Sequence, residues 1–174
     1  MKQTTILGLR KDGRAVIGSD GQVTIGETIM KHRARKIRKM YQDRVLVGFA
    51  GAAADAFTLF ERFEAKLDQF RGNLKRSVYE LAKEWRSDRV LRRLEALLAI
   101  LDREHTYIVS GSGDIIEPED GIIAIGSGGP YALAACRAMV RFSDLSPREI
   151  VEYSIQIAGE LSLYSNIEVF VEEL

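Results

Sequence analysis

The chain has 174 residues, 46% of them hydrophobic and 29% charged, values that fit a single globular domain with a sizeable core. Its 25 Lys and Arg balance 25 Asp and Glu, so net charge gives no argument for nucleic acid or an acidic surface as partner. One cysteine, Cys136, excludes an intrachain disulfide, and without any apolar run near the ~20 residues of a membrane span the expectation is a cytoplasmic protein.

In chain order, TTILGL reads as a strand. RAVIGSDGQVTIGET predicts two more, split by Asp20-Gly21, a two-residue hairpin signal. RKIRKMY and DRVLVGFAG continue the strand character, with a turn at Gln42-Asp43. The pattern changes at Gly51. Phe57, Phe60, Phe63, Leu67 and Phe70 then recur at spacings of three and four, a helical stripe of core or interface residues closed by Gly72. Asn73 caps a second predicted helix whose apolar residues are Leu74, Val78, Leu81, Trp85, Leu94 and Leu98. Strands resume at HTYIVSGSGDII and GIIAIGSGG. Two helices follow, PYALAACRAMVRF and one announced by Ser146-Pro147-Arg148-Glu149, which has the residues of a capping box; NIEVFVEEL closes the chain as a strand. Strands and helices in separate blocks imply antiparallel sheets with helices on their outer faces, hence an α+β fold.

Few residues here suit catalysis. With two histidines, His32 and His105, and one cysteine, soft-ligand metal sites are nearly excluded, and a hydrolase would need a base other than His. Thr4-Thr5 suits a strand edge, but a Thr with a free α-amine is also a nucleophile carrying its own base. Asp20 is explained by a turn, or by holding a cation beside that Thr. The basic run KHRARKIRK has three readings: a solvated edge strand, a nucleic-acid patch, or a strand with one lysine turned inward to Asp20. Ser127, in the Gly-rich strand-to-helix turn GSGGP, would cap the helix, supply a hydroxyl to a site, or belong to a phosphate cradle. The N–H of Gly51, in a second such turn, is placed to face a reacting carbonyl. A non-catalytic module that binds nucleic acid or phosphate through RKIRK or GSGGP is therefore the alternative to an enzyme. Cys136 and the aromatic stripe read as packing, and His32 and His105 as strand-end residues without catalytic roles.

Taken together, TTILGLR, GSDGQVT, ARKIRKMY, GFAGAAADAFTLFERFEAKL, SGSGDIIEPEDGIIAIGSGGPYALAA and VEEL closely resemble the HslV (ClpQ) family of proteasome-related bacterial peptidases. The resemblance runs from Thr4 to Leu174. It implies a four-layer αββα sandwich of the N-terminal nucleophile hydrolases, and a double ring of hexamers with its active sites on an inner chamber. It also implies an HslU-type AAA+ ATPase ring that unfolds protein substrates and feeds them in; the chain has no nucleotide motif of its own. Thr4 falls on the family's nucleophile, Asp20 and Lys36 on its acidic and basic partners, and Ser127 on its serine. Gly51 is the candidate oxyanion donor. A monovalent cation, Na+ by resemblance, would be held by backbone carbonyls of Gly159, Ser162 and Ser165, although the family commonly has Cys and Thr at the last two. The leader departs as well, because Lys2 and Gln3 must leave along with Met1 to free Thr4. The expected organisation is a removable leader at 1–3 and one peptidase domain at 4–174.

Overall fold

β1 (Ile6–Lys11) and β2 (Arg14–Asp20) pair antiparallel around Asp12-Gly13, whose φ angles of 54° and 72° give the two-residue turn that strand twist favours. The computed structural model describes residues 4–174; the expected leader, Met1 to Gln3, lies outside the described residues. The hairpin predicted at Asp20-Gly21 is not formed. β2 ends at Asp20 and has β11 (Val169–Glu173) as its other neighbour, while β3 (Val23–Ile25) turns at Gly26 to pair with β4 (Thr28–Lys31) in a separate ribbon. The sequence holds three Asp-Gly pairs, and only at the first do both residues adopt positive φ.

β10 (Ile122–Ile125) completes the first sheet in the order β10-β1-β2-β11. The second sheet runs β5 (Ile37–Met40), β6 (Val45–Ala50), β7 (Leu97–Leu101), β8 (Thr106–Ser110) and β9 (Ile115–Ile116), antiparallel throughout. The turn expected near Gln42-Asp43 is present, with Tyr41, Gln42 and Asp43 all at positive φ. Helix α1 (Ala53–Gln69) follows β6, and α2 (Leu74–Ser87) starts at Asn73, whose side chain accepts from the Arg76 N–H.

α2 is shorter than predicted. It stops at Ser87, a 3₁₀ turn covers Leu91–Arg93, and Leu98 lies in β7, a strand that the periodicity did not reveal. β7 sits between β6 and β8 with Leu98, Ala99, Ile100 and Leu101 all fully buried. A strand covered on both faces is apolar at successive positions, a pattern shared with buried helices.

α3 (Gly129–Phe142) and α4 (Pro147–Leu161) complete the set, and α4 begins with the expected capping box. Ser146 Oγ accepts from the Glu149 N–H at 3.3 Å and Glu149 accepts from the Ser146 N–H at 2.9 Å. Three apolar clusters define the layers. Phe60, Phe63, Leu67, Leu81 and Trp85 seal the first helix pair on the five-stranded sheet; Ile6, Ile17, Leu46 and Leu101 fill the space between sheets; Leu7, Val16, Ile150 and Ile155 seal the second pair on the other sheet. This is the four-layer αββα sandwich. The aromatic stripe of α1 is core at Phe60, Phe63 and Leu67, whereas Phe57 is 61% exposed. Among the described residues no helix is long and apolar enough to cross a membrane.

Candidate active site

The two sheets meet at one carboxylate. Asp20, at the end of β2, is fully buried, and its backbone N–H donates to the Thr5 carbonyl at 3.2 Å. Its Oδ1 accepts three donors: the Thr4 hydroxyl at 2.9 Å, the Thr5 N–H at 2.9 Å and Lys36 Nζ at 2.8 Å. Oδ2 accepts the Gln22 N–H at 3.1 Å. A buried charge survives only when paired and hydrogen-bonded, and Asp20 is both. Lys36 comes from the other sheet, from the residue just before β5. Burial pulls its ammonium below the usual value, against the opposing pull of Asp20. Of the three readings of the basic run, the inward lysine is formed, and so is the solvated edge, because β5 is an outer strand of its sheet with Arg38 and Lys39 exposed.

Three other basic side chains of that run have partners of their own. Arg38 stacks its guanidinium over Phe60 at 5.1 Å and Phe57 at 5.7 Å. Lys39 pairs with Glu172 at 3.7 Å and Arg33 with Glu168 at 3.9 Å. Lys31 and Arg35 line the same cleft as Lys36 and Arg38.

The Gly-rich turn after β10 grips Thr4. The Thr4 N–H donates to Ser127 Oγ at 3.3 Å, the Ser127 hydroxyl donates back to the Thr4 carbonyl at 3.4 Å, and the Gly128 N–H donates to that carbonyl at 3.2 Å. Gly126 has φ +89°, and a Cβ there would run into the Thr4 carbonyl, so both conformation and space require glycine. Ser127 therefore contributes its hydroxyl to Thr4, while Gly128 takes the N-cap position of α3.

Gly51, just past β6, shares with Thr4 and Lys36 a cleft of about 1070 Å³, also lined by Phe49, Phe57 and Arg38. A Cβ at Gly51 would come within 2.8 Å of the Phe49 ring and 3.1 Å of the Glu95 carbonyl.

Gly159 and Ser162 lie in the last turn and at the C-cap of α4, with Ser165 just beyond; the Ser165 N–H donates to the Ser162 carbonyl at 3.3 Å. Ser165 is buried and its Oγ lies 2.5 Å from the Thr5 hydroxyl, so this loop reaches the residue next to Thr4. Thr5, Gln22 and the Ser165 side chain are members of the site that sequence reasoning missed. Thr5 stood beside a named candidate, and no local signal marked the other two.

The remaining candidates lie elsewhere. Cys136 is buried in the cluster under α3 and α4, and burial pushes its thiol up to about 12. His105 stacks on Tyr107 near Asp102, and His32 follows β4.

The Proteasome family, described as proteasome subunit, matches residues 1–168. The chain belongs to the proteasome family. Among its proteasome-family relatives is the ATP-dependent protease subunit HslV of Syntrophobacter fumaroxidans, 58% identical over 171 residues, spanning 98% of this chain and 96% of the relative. The protein of the same name from Aquifex aeolicus is 56% identical over 174 residues, 100% of this chain and 99% of the relative. The crystal structure of eukaryotic HslV from Trypanosoma brucei matches with a TM-score of 0.93 at 45% identity, covering 98% of this chain and 99% of that one. Within the proteasome family the chain therefore stands with the HslV subunits.

Proposed function

We propose that this chain is the peptide-cleaving subunit of an ATP-dependent protease, with Thr4 as an N-terminal nucleophile. The observation that carries this reading is the convergence of the Thr4 hydroxyl and Lys36 Nζ on one oxygen of a buried carboxylate, Asp20 Oδ1. Once residues 1–3 are removed, the Thr4 nitrogen is a primary amine with an ordinary pKa of about 7.7–8.0, neutral often enough near pH 7 to accept a proton. It takes the proton of Oγ as Oγ attacks the scissile carbonyl carbon. The N–H of Gly51 donates to the oxyanion that forms, and the protonated amine returns the proton to the leaving nitrogen. The C–N bond breaks, an ester joins Thr4 to the acyl half of the substrate, and water hydrolyses that ester. Lys36, as an ammonium, favours the neutral amine and the developing alkoxide, and Asp20 holds it in place. Ser127, on the Thr4 nitrogen, orients the base.

The substrates are unfolded proteins delivered by an HslU-type AAA+ ring, which carries the ATPase activity, to a double ring of hexamers in the cytoplasm. A monovalent cation, Na+, suits the carbonyls of Gly159, Ser162 and Ser165. They gather where α4 ends, at the negative pole of its dipole, and hard oxygen donors match an alkali ion. When bound it would fix the α4–β11 loop that reaches Thr5.

Intact mass and peptide hydrolysis measured together test the proposal. A chain beginning at Thr4 that cleaves peptides, and a Thr4→Ala variant at least ~10³-fold slower, support it. Hydrolysis by a chain that retains Gln3, or undiminished hydrolysis by Thr4→Ala, would refute it and favour a different site.

A further inference from the structure

Lys36 reaches Asp20 from a segment that has no strand partner of its own until β5 begins. On the C-terminal side its backbone is fixed, because the Lys36 carbonyl accepts the Phe49 N–H at 3.1 Å. On the N-terminal side two contacts hold the segment to the end of β2. The Ala34 N–H donates to the Gly21 carbonyl at 2.8 Å, and Asn166 makes the other contact. The Asn166 side-chain oxygen accepts the Gly21 N–H at 3.1 Å, and its nitrogen donates to the His32 carbonyl at 3.0 Å. One amide thus joins the residue after Asp20 to the start of the run that carries Lys36. Its two ends match its two neighbours in only one orientation, since a backbone N–H needs an acceptor and a carbonyl needs a donor. The approach is close: a Cβ on Gly21 would meet Arg33 Cα at 3.0 Å and the Phe170 ring at 3.0 Å.

We propose that Asn166, in the α4–β11 loop, is a positioning residue that sets the placement of Lys36 against Asp20 by clamping Gly21 to His32. The inference rests on Thr4 acting as the nucleophile. It makes a demand that general packing does not. Asn166 is not among the residues lining the cleft, and its side chain hydrogen-bonds to Gly21 and His32 rather than to Thr4, so its loss alters the chemical step and leaves peptide binding as it was. Displacements of about 1 Å in a catalytic group cost on the order of 10²-fold in rate.

The test uses Asn166→Asp in the assembled enzyme with a short fluorogenic peptide. That variant keeps the size of the side chain and the acceptor for Gly21, but sets a carboxylate oxygen against the His32 carbonyl. A fall in kcat of about tenfold or more with KM within about twofold, in particles of unchanged size, supports the proposal. An unchanged kcat overturns it, as does a rise in KM alone. Loss of assembly in both Asn166→Asp and Asn166→Ala assigns the residue a purely structural role and overturns it too. Thr4→Ala, assayed alongside, separates the two ideas: if it remains active the nucleophile assignment fails, whereas an inactive Thr4→Ala with a fully active Asn166→Asp removes only the positioning role.

Discussion

Lys36 Nζ and Asp20 Oδ1 lie 2.8 Å apart, joining a residue that precedes β5 in one sheet to the last residue of β2 in the other. The lysine side chain is 12% exposed and the aspartate 0%, so solvent screens the pair little. Removing one partner leaves an uncompensated buried charge, which costs about 3–5 kcal/mol. Lys36→Met is expected near the lower end, because Asp20 keeps its donors from Thr4, Thr5 and Gln22. Chemical denaturation reads the loss, and peptide hydrolysis by the same variant should fall by about 10²-fold or more.

The same lysine gives stability and activity opposite pH trends. Burial depresses the folded-state pKa of Lys36 below its unfolded value of 10.5. Between those two values the unfolded chain binds the extra proton, so stability rises with pH across that window; the contribution is complete above 10.5 and lost as pH falls through the folded value. In the proposed mechanism activity needs the ammonium, so its alkaline limb should begin below pH 10.5. Unfolding and kcat profiles of the parent and of Lys36→Arg, whose charge persists, check both trends; an alkaline limb unmoved by the substitution would assign it to another group.

Gly126→Ala should damage the site more than its size suggests. The φ of +89° costs a non-glycine residue about 1–3 kcal/mol, and the new methyl would push on the Thr4 carbonyl. The expected outcome is a folded chain with lowered Tm whose peptide hydrolysis drops steeply. A control at Gly13, where an added Cβ meets nothing within 4 Å, should lose stability while keeping activity.

Cys136 should be chemically silent. Its side chain is fully buried and its thiol is pushed up to about 12, leaving almost no thiolate at neutral pH. Alkylating reagents at pH 7.5 should leave it unmodified in the folded enzyme and label it completely in denaturant; rapid labelling of the native protein would contradict the packing under α3 and α4.

Much of the fold was legible locally. Ser146 and Glu149 announced α4, Asn73 started α2, and the spacing of Phe60, Phe63 and Leu67 located the buried face of α1. β7 was not, because LLAIL is buried on both faces and has no alternation to read. Nor was the choice between Asp12-Gly13 and Asp20-Gly21, which depends on β11 arriving from the far end of the chain to take the other edge of β2. At the site, the residues themselves offered Asp20 beside Thr4 and an inward lysine only as alternatives among others; the family resemblance chose between them and singled out residues 4, 20, 36 and 127. Alternation could not direct Lys36, since β5 begins one residue later and the strand rule does not yet apply. Asn166 was invisible for the same reason: both of its partners are backbone groups more than 130 positions away.

Because the carboxylate ends one sheet and the ammonium precedes the edge strand of the other, no partly folded chain holds both. A chain with only the first sheet built has a threonine and an aspartate without the cation; one with only the second has an isolated lysine. The Asp20–Lys36 pair therefore depends on the two sheets having closed on each other. The pair is thereby a marker of native closure: wherever Lys36 meets Asp20, the two sheets are packed against each other.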